Sequence, residues 1–308
     1  MITVRSISKY NEVYPTVITI GTFDGVHIGH RKILDKIINH AKNTALKSAV
    51  LTFFPHPRMV LQKDADIKLL NTVDEKIAIL ERLGLDILII HPFTMEFSRL
   101  TATEFVRDIL VNTLNIKKVI IGYDHRFGRN RNANITDLIA FGNALDFSVD
   151  EIPAQEIDAV SVSSTKIRKA LEAGDIETAN SYLGYEYMLT GTIVRGKGNG
   201  KKLGFPTANL SIAESYKLIP KNGAYTVKST LNGETVYGMM NIGFNPTLNG
   251  TEKSVEVNFF DFDADLYGKK IQVDILARLR EEHKFESVDA LKGQLAKDKK
   301  KSLEFIQK

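Results

Sequence analysis

Short apolar runs alternate with amphipathic stretches along the first half of the chain. TVITI (16–20), SAVLTFF (48–54), DILII (86–90), KKVIIG (117–122) and FSVDEI (147–152) read as strands, being rich in β-branched and aromatic residues and short. Between them Ile33, Leu34, Ile37, Ile38 and Ala41 recur at helical spacing, and Thr72 with Glu75 and Thr101 with Glu104 read as capping boxes. Buried strands alternating with helices predict an α/β domain, a parallel sheet covered on both faces.

The pattern changes after SSTKIRKALEAG (163–174) and DIETANSYLGYEY (175–187), and we place the boundary near residue 184, giving domains 1–183 and 184–308. Short strands dominate from there. Asn232-Gly233 between Leu231 and Glu234 supplies the positive φ angles of a tight hairpin. A small all-β barrel is expected, closed by one helix over DALKGQLAKDKKKSLEFIQ (289–307).

Composition narrows the chemistry. With no cysteine in 308 residues, disulfides and thiolate zinc sites are impossible, and a reducing cytoplasm is the expected setting. Apolar runs such as LDILII are far too short to cross a bilayer, so no membrane association is expected. The net charge of +4 owes much to KDKKK (297–301), read as a solvated helix face, so nucleic acid is not an expected partner. The oligomeric state stays open.

GTFDGVHIGH (21–30) lies where a buried strand hands over to a helix, and two of the chain's seven histidines sit in it. Ligands of open parallel sheets bind outside the carboxyl ends of the strands. Gly21, Gly25 and Gly29 let backbone approach a phosphate, helix-start amides attract anions, and His27 and His30 can donate to phosphoryl oxygens. A bare HxGH reads first as a glycine-rich turn with two exposed histidines, because four-letter matches are common, and zinc lacks a third ligand nearby. Further on, Ser163, Ser164 and Thr165 can cap a helix and Arg168 follows one turn later, an arrangement suited to phosphate or to ordinary capping.

In the second half, TGTIVRGKGNGKKLGFPTANL (190–210) joins Gly196, Gly198, Gly200 and Gly204 to Lys197, Lys201 and Lys202, a loop fit for a polyphosphate or for a mobile hairpin. Thr207 and Asn209, on alternate positions of an extended segment, can turn hard oxygen donors toward one Mg²⁺ shared with ATP. Glu256 alternates with Val255 and Val257, and periodicity alone reads it as an exposed strand position. Asp261, Asp263 and Asp265 lack calcium-loop spacing and read as a turn.

The N-terminal half resembles the nucleotidylyltransferase superfamily, a Rossmann-like fold, and GTFDGVHIGH in full resembles the version in bacterial FAD synthetases. That resemblance implies nucleotide binding through Gly21, Phe23, Asp24, Gly25 and Gly29, and contacts from Ser163, Ser164, Thr165 and Arg168 to the β and γ phosphates of ATP and the departing pyrophosphate. It also implies charge stabilisation by His27, His30 and Arg168 while FMN phosphate attacks. TFFPHPRMVL (52–61) and GYDHRFGRNRN (122–132) resemble the flavin-side loops, with Asp124, Phe127, Gly128 and Arg131 matching. His125 stands where an aromatic is usual and Asn132 where a glycine is; His56 is as well read as part of a rigid turn.

GFPTAN (204–209), NIGFNPT (241–247) and VEVNFFDFDADLYGKKI (255–271) resemble riboflavin kinases. This implies Gly196, Gly198, Gly204, Pro206, Thr207 and Asn209 around ATP and Mg²⁺, and Glu256 as the base on the riboflavin hydroxyl. Arg280, Glu282 and Phe285 would then contact flavin, although Asn258 replaces a common histidine and LREEHKF departs from the usual pattern. The expectation is a bifunctional enzyme making FMN from riboflavin and FAD from FMN. The alternatives are another nucleotidylyltransferase, of cytidylyl or pantetheine-phosphate type, fused to a barrel, or a flavin- or RNA-binding protein without turnover.

Overall fold

The computed structural model describes residues 1–62, 66–123, 125–153, 162–196, 200, 203–244 and 253–307. Its packing divides the chain into two compact units, Met1–Ser164 and Thr165–Lys308.

The first unit holds six parallel strands: β1 (Ile2–Val4), β2 (Thr16–Ile20), β3 (Lys47–Phe53), β4 (Ile87–His91), β5 (Ile116–Gly122) and β6 (Ser148–Ile152). Their spatial order is β1-β4-β3-β2-β5-β6. The chain runs outward from β2 through β3 to β4 on one side and from β5 to β6 on the other, so the topological switch lies between β2 and β5. Every residue of β2 is buried, as an uninterrupted apolar run in a two-sided sheet requires. Helix α1 (Ile28–Lys42) covers it with Leu34, Ile37, Ile38 and Ala41, each aliphatic burial contributing on the order of 2 kcal/mol. Helix α2 (Val73–Arg82) opens on the Thr72/Glu75 capping box, and α3 (Ile135–Leu145) lies between β5 and β6 in the chain. Thr101/Glu104 also forms one, although the helix it opens, Ala102–Glu104, passes into π-helix over Phe105–Val111. The edge strand β1 has no counterpart in the sequence reading; it is three residues long with two of them exposed, which leaves no periodicity to detect.

The second unit closes β7 (Tyr187–Val194), β8 (Ala208–Ser211), β9 (Gly223–Leu231), β10 (Glu234–Phe244), β11 (Lys253–Phe259) and β12 (Lys270–Arg280) into an antiparallel barrel of order β10-β11-β8-β7-β12-β9. Asn232 (φ 52°) and Gly233 (φ 88°) make the two-residue β9–β10 turn as expected. Helix α5 (Ile176–Leu183), which follows α4 (Ser164–Ala173), packs on the barrel through Ile176, Ala179 and Leu183. Asn180 bridges it there, donating to the Ile275 carbonyl at 2.9 Å and accepting from the Tyr187 amide at 2.8 Å. A fragment of residues 165–308 is therefore expected to melt above one of residues 184–308, by about 5 °C or more, in thermal denaturation followed by circular dichroism.

The closing helix, α6 (Val288–Ile306), docks by polar contacts: Ser302 and Asp298 are buried, and Ser302 Oγ lies 3.0 Å from Thr226 Oγ1. The KDKKK stretch is thus not wholly solvated. Lys297, Lys300 and Lys301 face water, but Asp298 turns inward.

Candidate active sites

At the switch point the chain leaves β2 and enters α1 through Gly21–His27, a loop held in a strained shape. Phe23 (φ 45°) and Val26 (φ 38°) occupy the left-handed region, which is unusual for any side chain and most of all for a β-branched one. Bonds from neighbouring elements hold it. The Thr22 carbonyl accepts from Thr52 Oγ1 at 3.1 Å and from Lys76 Nζ at 2.6 Å, and Asp24 Oδ1 accepts from the Leu70 amide at 2.9 Å.

His27 caps α1, its Nδ1 accepting weakly from the His30 amide at 3.4 Å, which places its own proton on Nε2 when the ring is neutral. The rings of His27 and His30 stack at 3.7 Å, and Phe23 meets His30 edge-on at 5.0 Å. A Cβ at Gly29 would press on the His27 ring at 3.2 Å, a contact that glycine spares. His30 Nδ1 is buried with no hydrogen-bond partner among the described residues, as suits an atom reserved for a ligand. Ser164 Oγ donates to the Asp24 carbonyl at 2.8 Å, so the serine motif reaches this loop. Arg168 follows one turn along α4.

Both imidazoles are held neutral. Burial lowers His27 to about 4 against the opposing pull of Asp24, and burial, His27 and Lys76 together push His30 well below the usual histidine value. A folded-state value depressed below 6.5 contributes stability that is present above that value and lost as pH falls toward about 4. The urea midpoint of the first unit is accordingly expected to be lower at about pH 5 than at about pH 7.

The loops after β3, β4 and β5 bring aromatic rings together. Phe53 lies 5.7 Å from Phe93 and 5.5 Å from Phe97, and Phe97, Phe105 and Phe127 follow one another at 6.2 and 6.1 Å. His125 lies 6.2 Å from Phe127 with nearly parallel planes, so a flat ring does stand where the sequence replaces an aromatic. Phe93 and Phe97 carried no sequence signal. Arg131 is exposed, His56 caps the helical turn Pro57–Leu61, and Asp124 lies outside the described residues.

On the barrel, pairing of β8 with β11 sets Glu256 directly opposite Asn209, and Thr207 Oγ1 donates to Glu256 Oε2 at 3.1 Å. Two oxygen-bearing side chains of the GFPTAN segment and a carboxylate 49 positions beyond Thr207 thus share one patch of the barrel. The β10–β11 register adds Asn241 opposite Glu256 on the other side, a residue that sequence reading quoted within a motif without giving it a role. A Cβ at Gly196 would collide with the Asn209 amide, which explains that glycine. Asn258 Nδ2 donates to the Pro206 carbonyl at 2.7 Å, so the residue that stands in place of a histidine fastens the GFPTAN segment. Gly204 has φ 81°, whereas Gly198, Lys197, Lys201 and Lys202 lie outside the described residues.

No group of three or more histidine and acidic side chains able to hold a metal occurs among the described residues. Thr207, Asn209 and the adjacent carboxylate are nonetheless the hard donors that Mg²⁺ accepts when phosphates complete its shell. Asp265 Oδ1 accepts from the Tyr267 amide at 2.9 Å, the turn expected of that acidic cluster.

Arg280, expected beside flavin, has another engagement. Its Nε and Nη2 donate to Asp298 Oδ2 at 2.9 and 2.8 Å, and Nη1 donates to the Glu281 carbonyl at 2.9 Å. Gln294 supports Asp298 at 2.8 Å, so the guanidinium ties α6 to the end of β12. Glu282 instead accepts from Asn222 at 2.9 Å.

Comparison with known proteins agrees with this division. Residues 9–166 match the FAD synthetase family and residues 183–306 the riboflavin kinase family. Bifunctional riboflavin kinase/FMN adenylyltransferases are similar over nearly the whole chain: that of Listeria monocytogenes is 38% identical, covering 95% of this chain and 93% of its own, and that of Bacillus subtilis is 34% identical, covering 94% and 92%. That of Escherichia coli K12 is 35% identical, covering 94% and 92%. A Streptococcus pneumoniae crystal structure named as a macrolide-efflux protein aligns at TM-score 0.87 and 31% identity over 97% of both chains. Among the described residues no helix is long and apolar enough to cross a membrane.

Proposed function

The chain belongs to the family of bifunctional riboflavin kinase/FMN adenylyltransferases, and from that premise we propose how its own residues divide the two reactions. Riboflavin and ATP give FMN and ADP; FMN and a second ATP give FAD and pyrophosphate. Phosphorylation belongs to the barrel. Glu256 accepts the proton of the riboflavin 5′-hydroxyl as its oxygen attacks the γ-phosphorus of ATP, while the Thr207 hydroxyl orients the carboxylate. Thr207 and Asn209 would hold Mg²⁺ together with ATP oxygens, and the ion would supply charge neutralisation for the transferring phosphoryl group.

Adenylyl transfer belongs to the α/β domain. An FMN phosphate oxygen attacks the α-phosphorus of ATP and the bond to pyrophosphate breaks. Neutral His27 and His30 donate to phosphoryl oxygens as their charge grows, with Arg168 on the departing pyrophosphate and the loop amides around the nucleotide. Phe53, Phe93 and Phe97, the half-buried members of the aromatic cluster, offer flat apolar surface for the isoalloxazine ring. Reliance on ATP suits a cytoplasmic setting.

The observation that carries this assignment is the contact of Thr207 with Glu256 across two barrel strands, since neither hydrophobic packing nor strand periodicity calls for it. Incubation of the purified protein with riboflavin, ATP and Mg²⁺, followed by chromatographic separation of the flavins, tests it: FMN appears first and FAD follows. A protein that bound flavin and formed neither would be a binding module instead.

A further inference from the structure

One charged group beneath the nucleotide loop has no part in the chemistry above. Lys76, on the first turn of α2, is 9% exposed, and its ammonium reaches the Thr22 carbonyl at 2.6 Å. A buried lysine costs several kcal/mol unless it is well paired, so its presence in a core calls for a return. The carbonyl it holds immediately precedes Phe23, the first left-handed residue of the loop, and Phe23 in turn packs edge-on against His30. Two residues further on, Asp24 is anchored through Leu70, just ahead of α2, and through Ser164, at the start of α4.

We propose that Lys76 is a positioning residue for adenylyl transfer, clamping the Thr22 carbonyl from below so that the stacked His27 and His30 rings meet the ATP phosphates in a fixed orientation. This rests on the assignment of that reaction to the GTFDGVHIGH loop.

The charge of Lys76 gives it a second effect on the same rings. It is one of the causes that lower His30, after burial and His27, and so helps keep that imidazole neutral. The groups facing it from the loop are Asp24 and His30. On its own helix, Glu75 is taken up by the capping box with Thr72, and Asp74 pairs with Arg5. Burial brings Lys76 itself down to about 8 against the pull of Asp24, so the clamp is charged at neutral pH and is weakened by loss of that charge as pH rises through that value.

The test compares wild type, Lys76→Met, Lys76→Arg and His30→Ala as full-length proteins, assayed for FAD formation from supplied FMN across the pH range. In Lys76→Met, kcat is expected to fall roughly tenfold to a hundredfold with KM for FMN changed by no more than about twofold. Its acid limb should move to higher pH, because loss of the cation lets His30 protonate more readily, and the wild-type decline above about pH 8 should vanish. Lys76→Arg keeps the charge, so its acid limb stays in place while its alkaline limb moves upward, guanidinium being fully charged there. A near-normal rate in Lys76→Met, or a lower rate with the acid limb unmoved, would overturn the proposal. So would an alkaline limb left unmoved in Lys76→Arg, which decides the matter even if Lys76→Met does not fold. Retention of FAD formation by His30→Ala would instead remove the assignment of the reaction to this loop.

Discussion

Glu256→Gln is expected to lose riboflavin phosphorylation by roughly a hundredfold or more while still converting supplied FMN to FAD. The amide preserves the volume of the side chain and can still accept from Thr207 Oγ1, so the barrel and its β8–β11 pairing have no reason to change. What the amide cannot do is take a proton from an attacking hydroxyl. Were Glu256 an ordinary half-exposed strand residue, the same change would be worth about 0.5 kcal/mol or less in stability and nothing in rate. ATP affinity is expected to survive, because Thr207, Asn209 and the glycine-rich segment are untouched. Assaying both half-reactions on one preparation reads the result, and riboflavin phosphorylation at near wild-type rate would remove Glu256 from the role of base.

The architecture was legible because each domain has its own periodicity. Five of the six parallel strands announce themselves as short runs rich in β-branched and aromatic residues, and the Asn232-Gly233 turn, the two capping boxes and α6 follow from local chemistry. The edge strand Ile2–Val4 was not legible, since an exposed three-residue strand owes its existence to its partner β4. Site residues divide in the same way. His27, His30, Thr207 and Asn209 lie in motifs whose spacing carries meaning, whereas Glu256 has a strand pattern that by itself argues for a plain surface position. Only register, which sets Asn209 and Asn241 on either side of it, gives Glu256 a neighbourhood. Lys76 and Asp298 were invisible for a further reason. Each is a charged residue in a helix whose neighbours are charged, so sequence assigns both to solvent, and only tertiary packing turns them inward, to the Thr22 carbonyl and to Arg280.

His30→Ala is expected to reverse the first experiment, reducing FAD formation from FMN by roughly a hundredfold or more and leaving FMN formation from riboflavin unchanged. The imidazole is a poor structural residue where it stands. Its Nδ1 is buried without a partner among the described residues, and its ring is kept neutral by burial and by the His27 and Lys76 beside it, which leaves a desolvated polar atom that the fold does not satisfy. Removing it relieves that cost while giving up the ring contacts with His27 and Phe23, so the variant should unfold close to the wild-type temperature. Loss of rate without loss of stability separates a transition-state role from a packing role, for a residue that merely filled the core would lower both. The kinase half-reaction is the internal control, because Glu256, Thr207 and Asn209 belong to the other compact unit. Equal loss of both products from a folded protein would mean that the loop serves a shared step, such as nucleotide entry, and not adenylyl transfer itself.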